Sequence, residues 1–240
     1  MKVLGIIPAR YGSSRFPGKP LIDLKGKSMI QRVYEGAQQA TLLDTLVVAT
    51  DDQSIYDEVR RFGGEVLLTN PAHQSGTERC AEVLTHFSDH DTIINIQGDE
   101  PLVSGQQLDQ LLAAFEDTSV QIATLVHPEV SAADLENVNR IKVLADHQQN
   151  AIYFSRSPLP NMHYAKDQHF PWLRHIGLYA YKASALQQIA ALAPCALEQA
   201  ESLEQLRWLY YGYAIRLIQT DIETPNIDVP ADLEKVLPFL

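Results

Sequence analysis

The chain has 240 residues, of which 45% are hydrophobic and 20% charged, enough for a buried core and too patterned for a disordered segment. A net charge of −11 excludes a non-specific binder of nucleic acid or of anionic membrane, although local basic clusters can still hold phosphate. The two cysteines, Cys80 and Cys195, stand far apart with no CxxC spacing, which argues against a disulfide framework or a thiolate metal site and for the cytoplasm. No apolar run approaches the roughly 20 residues of a membrane span, so membrane insertion is not expected.

Taken in chain order, residues 3–8 read as a strand buried on both faces rather than as a signal peptide. Ser28 can cap a helix running to about Ala40, with Met29, Ile30, Val33 and Ala37 on one face. Leu46–Thr50 is a second buried strand. Ile55, Val59 and Phe62 mark a helix stopped by Gly63-Gly64. Val66–Leu68 is a short strand, and Thr77 can cap a helix carrying Val83, Leu84 and Phe87. Thr92–Ile96 is another buried strand, and Ser104 with Gln107 makes a capping-box pattern before Leu108, Leu111, Leu112 and Phe115. Ile122–Val126 is one more strand.

This alternation predicts an α/β fold with a mostly parallel sheet and helices on both faces. The rhythm changes after about residue 128. Ile141–Leu144 and Ala151–Phe154 read as a hairpin around polar Asp146–Asn150, followed by a polar, Pro-rich stretch from Ser157 to Pro171. His175–Tyr181 is strand-like, helices follow at 183–192 and 197–211, Ala214–Thr220 is a late strand, and a short helix follows Pro230. The organisation read from this is a single domain over 1–240 with an inserted lobe at about 128–195.

The segment from Pro8 to Leu21 carries the strongest chemical signal. It follows a buried strand, at the edge where open α/β sheets bind ligands, and it concentrates Arg10, Arg15 and Lys19 in an acidic chain. Gly12 and Gly18 allow close approach of the backbone to a ligand, and Ser13 adds a hydroxyl. It is neither a Walker A loop, since Pro20 replaces the Ser/Thr, nor a GxGxxG loop. The choice is between a polyphosphate loop of another kind and a solvated surface loop; strand context and clustered charge favour phosphate.

Other stretches carry chemistry with a plainer reading beside it. Gln97-Gly98-Asp99-Glu100-Pro101 follows a strand, so Asp99 is either a magnesium ligand or a turn carboxylate. Ser75 and Arg79 sit at a helix start, where N–H groups either read a base edge or are simply capped. Asp228 precedes Pro230 and a helix, as a cap would. No histidine pair has zinc-ligand spacing, and no Ser/His/Asp arrangement is visible.

Ile7-Pro8-Ala9-Arg10-Tyr11-Gly12-Ser13-Ser14-Arg15-Phe16-Pro17-Gly18-Lys19-Pro20-Leu21 resembles the opening loop of bacterial 3-deoxy-manno-octulosonate (Kdo) cytidylyltransferases. His73–Arg79, Asn95–Pro101, Tyr153–Pro158, Arg174–Tyr179 and Glu201–Arg207 extend the likeness in order over nearly the whole chain. The resemblance implies a nucleotide-diphospho-sugar transferase fold, with the inserted lobe serving sugar binding and dimerisation, and a homodimer. It implies CMP transfer from CTP to Kdo for lipopolysaccharide synthesis, with Mg²⁺ as cofactor. It casts Lys19, Arg15 and Asp99 as catalytic, and Arg10, Ser13, Arg15, Lys19, Ser75, Arg79 and Gln97 as nucleotide-binding. Gln97, Arg156, His175, Glu204 and Gln205 become sugar-binding, with Arg156 facing the sugar carboxylate. Asp99 and Asp228 become metal ligands, although Asn226-Ile227 and Val229 depart from the Gly, Val and Thr usual around that second aspartate. Related acceptors, 8-amino-Kdo or a sialic acid, remain alternatives. A glycosyltransferase of similar fold would need an Asp-x-Asp motif, where this chain has adjacent Asp51-Asp52, and a catalytically dead sensor would not need Asp99, Lys19 and Arg15 intact.

Overall fold

In the computed structural model, the strands and helices follow one another as β1 (Val3–Ala9), α1 (Met29–Ala37), β2 (Thr45–Thr50), α2 (Gln53–Arg61), β3 (Val66–Leu68), α3 (Gly76–His86), β4 (Thr92–Asn95), α4 (Gly105–Ala113) and β5 (Ile122–His127). Then come α5 (Ala132–Glu136), β6 (Lys142–Ala145), β7 (Ala151–Ser155), β8 (Leu173–Lys182), α6 (Ala183–Ala190), α7 (Ala196–Glu201), α8 (Gln205–Tyr210), β9 (Arg216–Gln219) and α9 (Leu233–Val236). The structure describes residues 1–12, 16–128, 130–165, 170–223, 225, 227 and 229–240, the side chain of residue 235 aside. The chain divides into two compact units: Met1–Leu112 with Ala180–Ala190 and Thr224–Leu240, and Ala113–Tyr179 with Ala191–Glu223.

The first unit is built on parallel strands in the order β3-β2-β1-β4. The apolar run expected at residues 3–8 fills the middle of this sheet: Val3, Leu4, Ile6 and Ile7 are at most 1% exposed, as a strand covered on both faces requires. Helix α1 packs on β1 and β2, α2 on β2 and β3, and α3 on β1, β2 and β4, which is the layering the strand–helix alternation predicts. Ser28 caps α1 as expected, its side chain accepting from the Gln31 N–H at 3.3 Å. Met29, Ile30, Val33 and Ala37 are wholly buried, and each Ile or Val side chain so placed contributes about 1.5–3 kcal/mol. The cap of α3 is Ser75 rather than Thr77; Thr77 lies inside the helix and is buried.

In the second unit β5 runs parallel to β9, while β6 pairs antiparallel with both β7 and β8. The hairpin expected around residues 146–150 is β6–β7, and Asp146 closes its turn by accepting from the Gln148 and Asn150 N–H groups. The single helix expected at 197–211 is two, α7 and α8. Ser202 takes a left-handed conformation (φ 52°), uncommon for a residue other than glycine, and ends α7. Lys142 is 1% exposed and donates to the carbonyls of Asn137, Arg140 and Arg156, so its charge is satisfied without a carboxylate.

Candidate active site

The carboxyl ends of β1 and β4 and the start of α3 enclose a cleft of ≈ 230 Å³ within the first unit. Pro8, Ala9 and Arg10 line it from the end of β1, Lys19 and Pro20 from the following loop, His73 to Gly76 with Arg79 from the approach to α3, and Gln97 to Asp99 from the exit of β4. This is the strand edge at which open α/β sheets gather ligands. Two glycines shape it. Gly18 has φ +71°, a conformation that glycine adopts without penalty, and its N–H closes the loop onto the Tyr11 carbonyl at 3.0 Å. Gly98 runs so close to β1 that a Cβ there would lie 2.8 Å from the Pro8 carbonyl oxygen, so no larger residue fits without moving backbone.

Lys19 is the electrostatic centre of the cleft. It is 8% exposed, and its Nζ lies 2.6 Å from Asp99 Oδ2 and 2.8 Å from the Ile227 carbonyl oxygen. Lys19 thus joins two segments 208 residues apart. Ile227 in turn donates its N–H to the Asp99 carbonyl at 3.1 Å, so the C-terminal segment is fastened beside Asp99. An ammonium has three donors, and among the described residues Asp99 and Ile227 take two of them. Arg10 is exposed at the rim.

On the opposite wall, Ser75 Oγ accepts from the Glu78 N–H at 3.2 Å, so the plain capping role is present. Arg79 is 4% exposed; its Nη2 lies 3.3 Å from Asp51 Oδ2, and its Nη1 donates to Thr69 Oγ1. His73 Nε2 meets the Glu82 carboxylate. Burial pushes the Glu82 carboxyl up, but the Asn70 N–H and His73 outweigh it and hold the group below the usual carboxylate range.

Of the remaining sequence candidates, Ser13, Arg15 and Asp228 lie outside the described residues. Arg156, His175, Glu204 and Gln205 belong to the second unit. Arg156 directs its guanidinium at the carbonyls of Glu201 (2.6 Å), Val138 (2.8 Å) and Ser202 (3.2 Å), tying the end of β7 to the end of α7. His175 sits between Phe154 and Tyr179, with ring centroids at 5.1 and 5.3 Å, and its Nε2 meets Thr124 Oγ1 at 3.1 Å. Burial, then the charge of Arg174, lowers its pKa to about 3, so it is neutral at physiological pH. Gln205 is buried and Glu204 half-buried at the start of α8.

Among the described residues no group of three or more His, Cys, Asp or Glu side chains could hold a metal ion, and Asp99 is the acidic side chain lining the cleft. One accessible carboxylate still fits magnesium, which takes one or two protein oxygens and fills its shell with phosphate and water. Sequence reasoning passed over His73, Gln74 and Gly98 as individual residues, although each lies in a stretch it singled out; Asp51 and Thr69 carried no signal for this site.

The cytidylyltransferase family profile matches residues 4–220. A 3-deoxy-manno-octulosonate cytidylyltransferase from Bacteroides thetaiotaomicron is 51% identical over 250 residues, spanning 100% of this chain and 98% of its own. Another protein of that name, from Syntrophobacter fumaroxidans, is 48% identical over 243 residues, spanning 100% and 97%. The solved structure of a CMP:2-keto-3-deoxy-manno-octonic acid synthetase complexed with CTP superposes with a TM-score of 0.94 at 43% identity, covering 100% of this chain and 98% of that one. A 4-diphosphocytidyl-2C-methyl-D-erythritol synthase from Anaerococcus prevotii shares the fold alone, with a TM-score of 0.66 at 11% identity.

Proposed function

The chain belongs to the 3-deoxy-manno-octulosonate cytidylyltransferase family, and on that footing we propose that it joins CMP from CTP to Kdo and releases diphosphate. Within the cleft, the observation that carries this reading is Lys19 set 2.6 Å from Asp99, a cation and a hard oxygen at the mouth of a parallel sheet.

The chemistry requires an oxygen of the sugar to attack the α-phosphorus of CTP in line. A new sugar-O–P bond forms, the bond from the α-phosphorus to the bridging oxygen breaks, the hydroxyl proton passes to solvent, and diphosphate leaves. Protein groups do this by placing the reactants and offsetting negative charge, with no covalent intermediate on the chain. Lys19, with its third donor, and Arg10 meet the phosphates, as Arg15 does in the same loop. Gly98 packs backbone against backbone at Pro8, where a side chain would not fit. Asp99 and Asp228 would hold magnesium. When bound, that ion would neutralise phosphate oxygens and acidify the attacking hydroxyl.

Arg156, Gln97, His175, Glu204 and Gln205 are assigned to the sugar; neutral His175 can donate or accept toward a hydroxyl but offers no positive charge to a carboxylate. The reading also includes a cytoplasmic homodimer that serves lipopolysaccharide synthesis, supported by the paucity of cysteine and by the family. The test is diphosphate release with CTP, UTP, ATP and GTP against Kdo, 8-amino-Kdo and a sialic acid. Release with CTP and Kdo, abolished by EDTA and restored by magnesium, is the expected result. Comparable turnover with UTP contradicts the base assignment, turnover unaffected by EDTA contradicts the metal, and light scattering at monomer mass contradicts the dimer.

A further inference from the structure

We infer that Asp51, with Thr69, is the positioning residue that fixes Arg79 as the cleft's reader of the cytosine edge. This rests on the function proposed above. Asp51 follows β2 directly and Thr69 follows β3, and these parallel strands end in register at Thr50 and Leu68. Thr69 is locked there, its N–H (2.8 Å) and its hydroxyl (3.1 Å) both donating to the Thr50 carbonyl. The same Thr69 oxygen accepts from Arg79 Nη1, while Asp51 Oδ2 meets Nη2 at 3.3 Å. Two adjacent strand ends thus grip one face of a guanidinium that is 4% exposed and still lines the cleft.

Among the described residues, Asp51 forms its ion pair with Arg79. Its neighbour Asp52 caps α2 by accepting from Ser54 and Ile55. Among the described residues, Asp51 caps no helix and its Oδ1 is buried without a hydrogen-bond partner. Its other oxygen, Oδ2, is the one that holds the charge and the plane of Arg79.

Recognition chemistry follows from the donor inventory. A guanidinium only donates; Thr69 and Asp51 each take one of its N–H groups, and cytosine presents two adjacent acceptors, O2 and N3, to those that remain. Uracil carries a hydrogen on N3, so the same group meets donor with donor. A guanidinium free to swing would avoid that clash; one clamped by Asp51 and Thr69 cannot. Base selectivity therefore resides in the clamp as well as in Arg79.

The experiment measures CTP and UTP binding by calorimetry, without sugar, to the wild-type chain and to Asp51→Asn, Thr69→Val and Thr69→Ser, with a melting curve for each. Loss of a charge-assisted contact is expected to weaken CTP binding about tenfold or more in Asp51→Asn and Thr69→Val, with UTP affinity nearly unchanged, so that the CTP/UTP ratio collapses. Thr69→Ser, which keeps the hydroxyl, is expected to recover most of the loss. In turnover, the KM for CTP should rise far more than kcat falls, the signature of binding lost equally from ground and transition states. Variants that melt lower but keep the wild-type CTP/UTP ratio would make Asp51 a structural counter-ion and overturn the inference. If Asp51→Asn fails to fold, the Thr69 pair decides alone. A wild-type chain that binds neither nucleotide overturns the proposed function as well, whereas wild-type selectivity untouched by the clamp variants overturns only this inference.

Discussion

Replacing Lys19 with methionine removes a charge and keeps the chain's bulk, and its consequences separate stability from chemistry. Lys19 holds Asp99 Oδ2 at 2.6 Å and the Ile227 carbonyl at 2.8 Å, with side-chain exposures of 10% for Lys19 and 28% for Asp99. Breaking a fully buried pair from one side costs about 3–5 kcal/mol, because the survivor stays charged and unpaired. Asp99 keeps some contact with water, which brings the expected loss to about 2 kcal/mol. For a chain of this length that corresponds to a melting point lower by about 4–8 °C. Adding Asp99→Asn removes the stranded charge, so the double variant is expected to melt higher than Lys19→Met alone. Turnover behaves differently: losing one donor to developing charge costs on the order of a hundredfold, and neutralising Asp99 restores none of it. Thermal melts and diphosphate-release rates on the three variants provide the assay. Melting losses that simply add in the double variant, or near-normal turnover by Lys19→Met, would refute the assignment of this pair.

Gly98→Ala pushes a Cβ to within 2.8 Å of the Pro8 carbonyl oxygen, so it is expected to cost about 1–3 kcal/mol and weaken CTP binding; an unchanged melt and affinity would show that the backbone gives way freely. Arg156→Ala removes hydrogen bonds to three carbonyls and should lower stability by about 1–3 kcal/mol in a melt. The same variant should raise the KM for Kdo but not for CTP, and an unchanged KM for Kdo removes Arg156 from the sugar site. His175, with its folded pKa depressed to about 3, stays neutral while the unfolded chain protonates near 6.5, so its contribution is complete above that value and is lost as pH falls toward 3. His175→Gln should flatten that acid limb in melts taken across the range, and an unaltered limb contradicts the burial argument.

What was legible in the sequence was whatever local pattern decides. Buried strands such as Val3–Ala9 are continuous apolar runs, and the cap at Ser28 and the turn at Asp146–Asn150 depend on neighbours within four residues. The loop from Pro8 to Leu21 was legible because its cations follow a strand directly, and the structure sets Arg10 and Lys19 on the cleft. Tertiary commitments were not legible. Nothing near Lys19 announces Asp99 and Ile227, and nothing near Arg156 announces the Val138, Glu201 and Ser202 carbonyls. Periodicity carried one helix through 197–211 because a left-handed serine leaves no mark on hydrophobic spacing. Asp51 offers the sequence only half of a failed Asp-x-Asp motif, since its link to Arg79 spans α2, β3 and the first turn of α3.

Transfer of a nucleotidyl group to a sugar oxygen can be checked by following the oxygen itself. Kdo equilibrated in ¹⁸O-water, so that its anomeric hydroxyl carries the label, is mixed with the enzyme, CTP and magnesium, and the products are read by ³¹P NMR and mass spectrometry. One CMP-sugar phosphodiester with ¹⁸O in the sugar–phosphorus bridge is expected, formed in equal amount with unlabelled diphosphate. A sugar nucleotide whose bridge lacks the label, or CMP and diphosphate released with no sugar attached, would contradict that transfer.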